Sequence, residues 1–111
     1  MSDATLAVCE RDYWRCFRCG ENCFERPHSV HHRVLGNRRD NRHSNLILLC
    51  GTGTTGCHGW VHNHPKLSRD EGWIVSKFTR QDTSEVPVLH HQLGRVRLDD
   101  NGGMIAYASG G

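Results

Sequence analysis

The chain has no long apolar run. Its longest aliphatic stretch is Leu46-Ile47-Leu48-Leu49, far short of the roughly 20 residues that a membrane-spanning helix requires. Aromatic residues make up 7% of the 111 residues and apolar residues 36%. One domain of this length therefore has a thin core and needs stabilisation from another source. Residues 1–8 lack the basic start and apolar segment of a secretory signal, which predicts a cytoplasmic protein with no membrane association. Internal repeats, low-complexity blocks and a coiled-coil pattern are also missing. Lysine is absent between residues 11 and 42, where eight arginines (11, 15, 18, 26, 33, 38, 39 and 42) outnumber four acids (Asp12, Glu21, Glu25 and Asp40). The net charge of +2 is too small to declare a nucleic-acid binder, but forked guanidinium groups suit phosphate oxygens.

What the chain does have is cysteine and histidine, six and nine respectively. Five of the cysteines fall within residues 16–57. Without an export signal, such grouping points to metal rather than to disulfides. Cys16-x2-Cys19 and Cys50-x6-Cys57 offer two thiolate pairs on separate segments, the donor set of a structural zinc. Gly20 follows the first pair and can supply the positive φ that turns two sulfurs towards one point. Such a zinc contributes on the order of 10 kcal/mol to a small domain, which answers the thin core. Cys23 competes with Cys19 for a place in the quartet, whereas Cys9 is expected to pack in the core.

The pattern predicts an α+β domain. Residues 5–15 read as a short amphipathic helix ending near Trp14, with Leu6, Cys9 and Tyr13 on its inner face. Residues 28–34 read as extended and residues 36–44 as an Arg- and Asn-rich loop. Residues 45–50 fit either a buried strand or the start of a helix. A loop over 51–56 precedes a short helix over 57–63, closed by Pro65. Residues 66–71 are expected to add one or two helical turns, stopped by Gly72. Strand formers occupy residues 73–78 and 94–99, and Asp100-Asn101-Gly102-Gly103 is a hairpin turn into residues 104–108. The expected organisation is a main domain over residues 1–80, with a β-hairpin appendage over 81–111 packed on it. His90 and His91 in the appendage read as solvent-facing.

Four other histidines carry chemistry. On an extended segment the adjacent His31 and His32 point opposite ways, so one can face a metal and the other a substrate or water. His58 and His62 are spaced i, i+4 and share one helix face. Cys57 projects about 100° away from His58, so one short helix can serve two metals.

The run Cys16-x2-Cys19-Gly20, His31-His32-Arg33, Asn45 to Cys50 and Cys57-His58-x3-His62 resembles the HNH endonucleases. It is most similar to the small zinc-braced proteins of that family encoded by bacteriophages and prophages. The resemblance covers about residues 5–80, and Gly51 to Trp60 is similar to a version common in actinobacterial phages. It implies a ββα-metal fold with an N-terminal helix, a structural zinc and a C-terminal β-appendage.

On that resemblance His32 is the general base, taking a proton from the attacking water, a task that suits a neutral imidazole. Asn45 fixes the hairpin and the orientation of His32. His31, His58 and His62 hold one divalent cation (Mg²⁺, Mn²⁺, Ni²⁺ or Zn²⁺), with His64 as an alternative third ligand. Many members carry Asp where His31 stands, so the ligand here is neutral and the preference shifts towards zinc, nickel or manganese. Arg33, Arg38, Arg39 and Arg42 are expected to contact DNA phosphates. The implied activity is metal-dependent hydrolysis of DNA phosphodiesters, linked in phages to the terminase and DNA packaging. The competing reading is a non-catalytic zinc-binding adaptor for DNA or protein.

Overall fold

Leu46 to Leu49 are at most 1% exposed, and pairing with residues 28–32 makes the ambiguous segment a strand rather than a helix. In a computed structural model, which describes residues 3–36 and 39–106, it forms β2 (Leu46–Cys50). β2 pairs antiparallel with β1 (His28–His32), in a register that sets His31 against Ile47 and His32 against Leu46. The other edge of β2 is also filled. Phe17 N–H donates to the Leu48 carbonyl (2.8 Å), and Leu48 N–H donates to Asp12 Oδ2 (3.0 Å). A strand enclosed on both edges and both faces reads as a continuous aliphatic run, as this one does.

The N-terminal helix α1 spans Asp3–Arg11 and buries Val8 and Cys9. It ends before the expected Trp14 because Tyr13 (φ 55°) and Trp14 (φ 57°) take left-handed conformations that break the helical ladder. Tyr13 is therefore 83% exposed rather than inward-facing, and Leu6 is 42% exposed. Arg11 and the buried Asp12 form a two-pronged ion pair, and Arg11 also donates to the carbonyls of His43 and Leu46. This pair fastens the end of α1 to the start of β2.

Helix α2 (Gly56–Asn63) packs across the β1–β2 ribbon and is followed at once by α3 (Pro65–Asp70). Proline at the first position of α3 needs no N–H donor there, so Pro65 both ends one helix and starts the next. Gly72 (φ 82°) ends α3 with its Cα packed against the Pro87 carbonyl. Residues 73–78 do not form the expected strand. Trp73, Ile74 and Val75 are buried, yet their N–H groups are taken singly by other segments, Ile74 by Ser68 and Val75 by Arg33.

A second sheet has the order β3–β4–β5, built from Val88–His90, Gly94–Leu98 and Met104–Ala106. β4 and the turn into β5 match the sequence reading, while β3 had no signal strong enough to stand out. Val88, Val96 and Leu98 join Phe17, Ile47, Leu49, Val61 and Trp73 in one core. His90 is not solvent-facing. It is 8% exposed, stacks edge-on to Phe17 at 4.9 Å and accepts N–H bonds from Gln92 and Leu93. His91 is half-buried over the knuckle, its N–H donating to the Phe17 carbonyl. No described helix is long and apolar enough to cross a membrane.

Candidate metal centres

The four sulfurs of Cys16, Cys19, Cys50 and Cys57 lie within 4.8 Å of one another. Two short turns bring them together. In the first, Cys16 N–H donates to the Glu21 carbonyl and Gly20 N–H to the Cys16 carbonyl, both at 2.8 Å, with Gly20 at φ 81°. In the second, Gly51 (φ 83°) turns the chain out of β2, so that Cys50 at the strand end meets Cys57 in the first turn of α2.

The spacing fits zinc. Zn–S bonds of 2.3 Å in a tetrahedron set sulfurs about 3.8 Å apart, and Cys19 Sγ and Cys50 Sγ are separated by 3.8 Å. That distance excludes a disulfide, and all six cysteines are free. Two donors point into the cluster: Cys57 N–H towards Cys50 Sγ (3.4 Å) and Arg18 Nη1 towards Cys57 Sγ (3.4 Å). Burial and the other sulfurs push the Cys50 thiol up to about 11, so a bound cation is what makes four thiolates compatible with this crowding. Cys23 stays outside the quartet, its thiol directed at the Glu21 carbonyl (3.6 Å). The four cysteines can hold a structural metal such as zinc.

The second cluster consists of His31, His58 and His62, whose ligand nitrogens also lie within 4.8 Å of one another. The outer nitrogens of His31 and His58 fix the tautomers of those two rings. His31 Nε2 meets the Trp73 carbonyl at 2.8 Å; a carbonyl only accepts, so Nε2 carries the proton and Nδ1 keeps its lone pair. Ser29 Oγ donates to the Gly51 carbonyl (3.0 Å) and so accepts from His58 Nδ1 (2.7 Å). The His58 Nε2 lone pair then faces His62 Nε2 at 3.0 Å. Nitrogens sharing one ion at about 2.1 Å stand roughly 3.0 to 3.4 Å apart. Outer N–H groups bonded to carbonyl or hydroxyl oxygens are the usual support of metal-binding imidazoles. Burial pushes His31 down to about 3, which keeps its ring neutral and able to donate a lone pair, and it lowers His58 in the same direction. His64 is elsewhere, stacked on Trp60 at 4.1 Å with Nδ1 against the Trp60 carbonyl.

His31, His32, His58 and His62 line one open cleft of about 720 Å³. His32 Nε2 donates to Asn41 Oδ1 (2.9 Å), which leaves Nδ1 free to accept a proton. Asn45 is fully buried: its Oδ1 accepts Val34 N–H (3.0 Å) and its Nδ2 donates to the Asp40 carbonyl (2.8 Å). It therefore closes the loop that follows His32 without touching the ring.

Two of the four arginines expected on DNA, Arg33 and Arg42, are engaged within the protein. Arg33 is 0% exposed. Its guanidinium donates to the carbonyls of Gly72, Ser44, Thr83 and Val86 at 2.7 to 3.0 Å, because the chain turns inward as it leaves β1. Arg42 is exposed but bound to Asp40 and Asp82. Arg39 is exposed, and Arg38 lies outside the described residues. Ser29, Asn41 and Arg18 support the two centres and were not singled out from sequence. A hydroxyl two residues before His31 is the one local cue, since alternate strand residues share a face. No family model, curated protein or solved structure matches the chain.

Proposed function

We propose that the protein is a metal-dependent DNA endonuclease of the HNH type, with β1, β2 and α2 as its ββα unit. One observation carries the reading: a three-imidazole cluster, two of its rings held in fixed tautomers, shares a cleft with a fourth histidine whose Nδ1 is free. His31 Nδ1, His58 Nε2 and His62 hold the cation in this reading, and Ser29 and the Trp73 carbonyl orient them. A divalent cation there supplies positive charge to a phosphate oxygen and to the departing oxygen. His32 takes the proton of the attacking water through Nδ1, while Asn41 holds the ring by its Nε2–H. Asn45 keeps the 33–40 loop closed behind it. Three neutral nitrogens favour nickel, zinc or manganese over magnesium, which prefers oxygen ligands.

Supercoiled plasmid, incubated across a Mn²⁺, Ni²⁺, Zn²⁺ and Mg²⁺ series, tests this. The wild type is expected to convert it to nicked or linear DNA, fastest outside magnesium. His32→Ala is expected to lose about a hundredfold or more in rate with its zinc content and melting unchanged. Full cleavage by His32→Ala would remove the base. A protein that holds one tight zinc, no second exchangeable ion and no nicking activity would instead be the adaptor.

A further inference from the structure

Burial of Arg33 and pairing of Arg42 take two of the four arginines expected on DNA out of that role. The strongest candidate to replace them is the segment 76–81. It leaves the core where Val75 N–H donates to the Arg33 carbonyl (2.8 Å), one residue past His32. It returns at Asp82, which is bound to Arg42, and at Thr83, whose hydroxyl meets Ser44 Oγ (2.6 Å). Both ends are thus fixed beside the end of β1 that carries His32.

Between these anchors Phe78 is 84% exposed, the most exposed large apolar side chain among the described residues. The turn beneath it is ordered by Thr79 N–H to the Ser76 carbonyl (3.1 Å) and by Phe78 N–H to Ser76 Oγ (3.2 Å). Lys77 Nζ lies 5.2 Å from the ring centroid, and Arg80 is exposed two residues on. The phenyl ring is held in water beside one cation, with a second two residues along the chain. It matches a nucleic-acid strand, where a base stacks on the ring and flanking phosphates meet the charges.

We infer that the 76–81 segment is a DNA-contacting element, with Phe78 stacking on an unpaired or displaced base next to the phosphate in the cleft and Lys77 and Arg80 on the backbone. The inference rests on the nuclease reading. It adds the segment to the exposed Arg39 as a grip on DNA.

The test is equilibrium binding of the full zinc-loaded chain to fluorescein-labelled single-stranded and duplex DNA, without added cation, followed by Mn²⁺ cleavage kinetics. Phe78→Ala is expected to weaken binding to single-stranded DNA tenfold or more and to raise KM more than it lowers kcat. Phe78→Trp is expected to retain affinity, and Phe78→Leu to behave as Phe78→Ala. Lys77→Gln and Arg80→Gln are each expected to reduce the slope of log affinity against log salt by about 0.7. Wild-type affinity in Phe78→Ala, or in Phe78→Leu, overturns the stacking role while wild-type cleavage leaves the nuclease reading standing. Unchanged DNA affinity combined with loss of self-association in sedimentation would give the ring to a second copy of the chain and also overturn it. A wild type that neither binds nor cuts DNA fails the function itself, and is told apart by that first control.

Discussion

His90 shows how much a single buried titratable group can govern. Burial, with the neighbouring His91, pushes it down to about 4 from an ordinary 6.5. Its Nδ1 accepts two backbone N–H bonds at 3.1 Å, and a protonated ring could accept neither. Between pH 4 and 6.5 the unfolded chain therefore binds a proton that the folded chain refuses. Stability from this site is complete above about 6.5 and is lost as pH falls through that window. His90→Asn keeps an acceptor for both N–H groups and does not titrate. The stability of the wild type relative to His90→Asn is expected to fall by up to about 1.4 kcal/mol per pH unit below 6.5. Urea unfolding in excess zinc checks it, since metal release then cancels between the two; a difference independent of pH would refute it. A doublet of histidines near a turn gave no hint of this in the sequence, because burial of His90 depends on Phe17, 73 positions away in the chain.

At the scale of elements, the cysteine knuckle was the most legible part. The Cys-x-x-Cys-Gly spacing carries its own geometry, and Gly20 has the positive φ that the pattern demands. What the spacing does not contain is the lid: a Cβ on Gly20 would stand 2.6 Å from His91 Nδ1. Gly20→Ala therefore combines left-handed strain of about 1–2 kcal/mol with a clash against the second sheet. It is expected to melt several degrees lower and to surrender zinc faster to a chromogenic chelator. Gly53→Ala, whose Cβ meets nothing within 4 Å, is the matched control and is expected to behave as wild type. Equal zinc release from both would show that the turn does not depend on Gly20. The histidine helix was legible for a similar reason, as i, i+4 spacing forces two rings onto one face. The strand expected over 73–78 failed because β-propensity records fitness for a buried surface, and Trp73, Ile74 and Val75 obtain that burial without a partner strand.

Across the whole molecule, two further fasteners join segments remote in sequence. A metal in the sulfur quartet would tie residues 16–19 to residues 50–57. The Arg33 guanidinium ties the end of β1 to Ser44, Gly72, Thr83 and Val86. The first was readable because thiolates advertise themselves; the second was not, because its partners are backbone carbonyls that any sequence possesses. An Arg in a basic run resembles a phosphate contact until the fold supplies those acceptors. Arg33→Met keeps the apolar volume but strips donors from four carbonyls, each worth about 1–3 kcal/mol when left unpaired out of water. A loss of at least about 3 kcal/mol follows, and Arg33→Lys is expected to recover little of it, since an ammonium cannot span the fork of acceptors. The two fasteners are separable. Arg33→Met is expected to keep its tightly held zinc while backbone amides over residues 72–90 lose protection in hydrogen-exchange mass spectrometry. Wild-type protection there would mean that the shared core of Trp73, Val88 and Val96 docks the second sheet unaided, and that burying a guanidinium at this junction stabilises nothing.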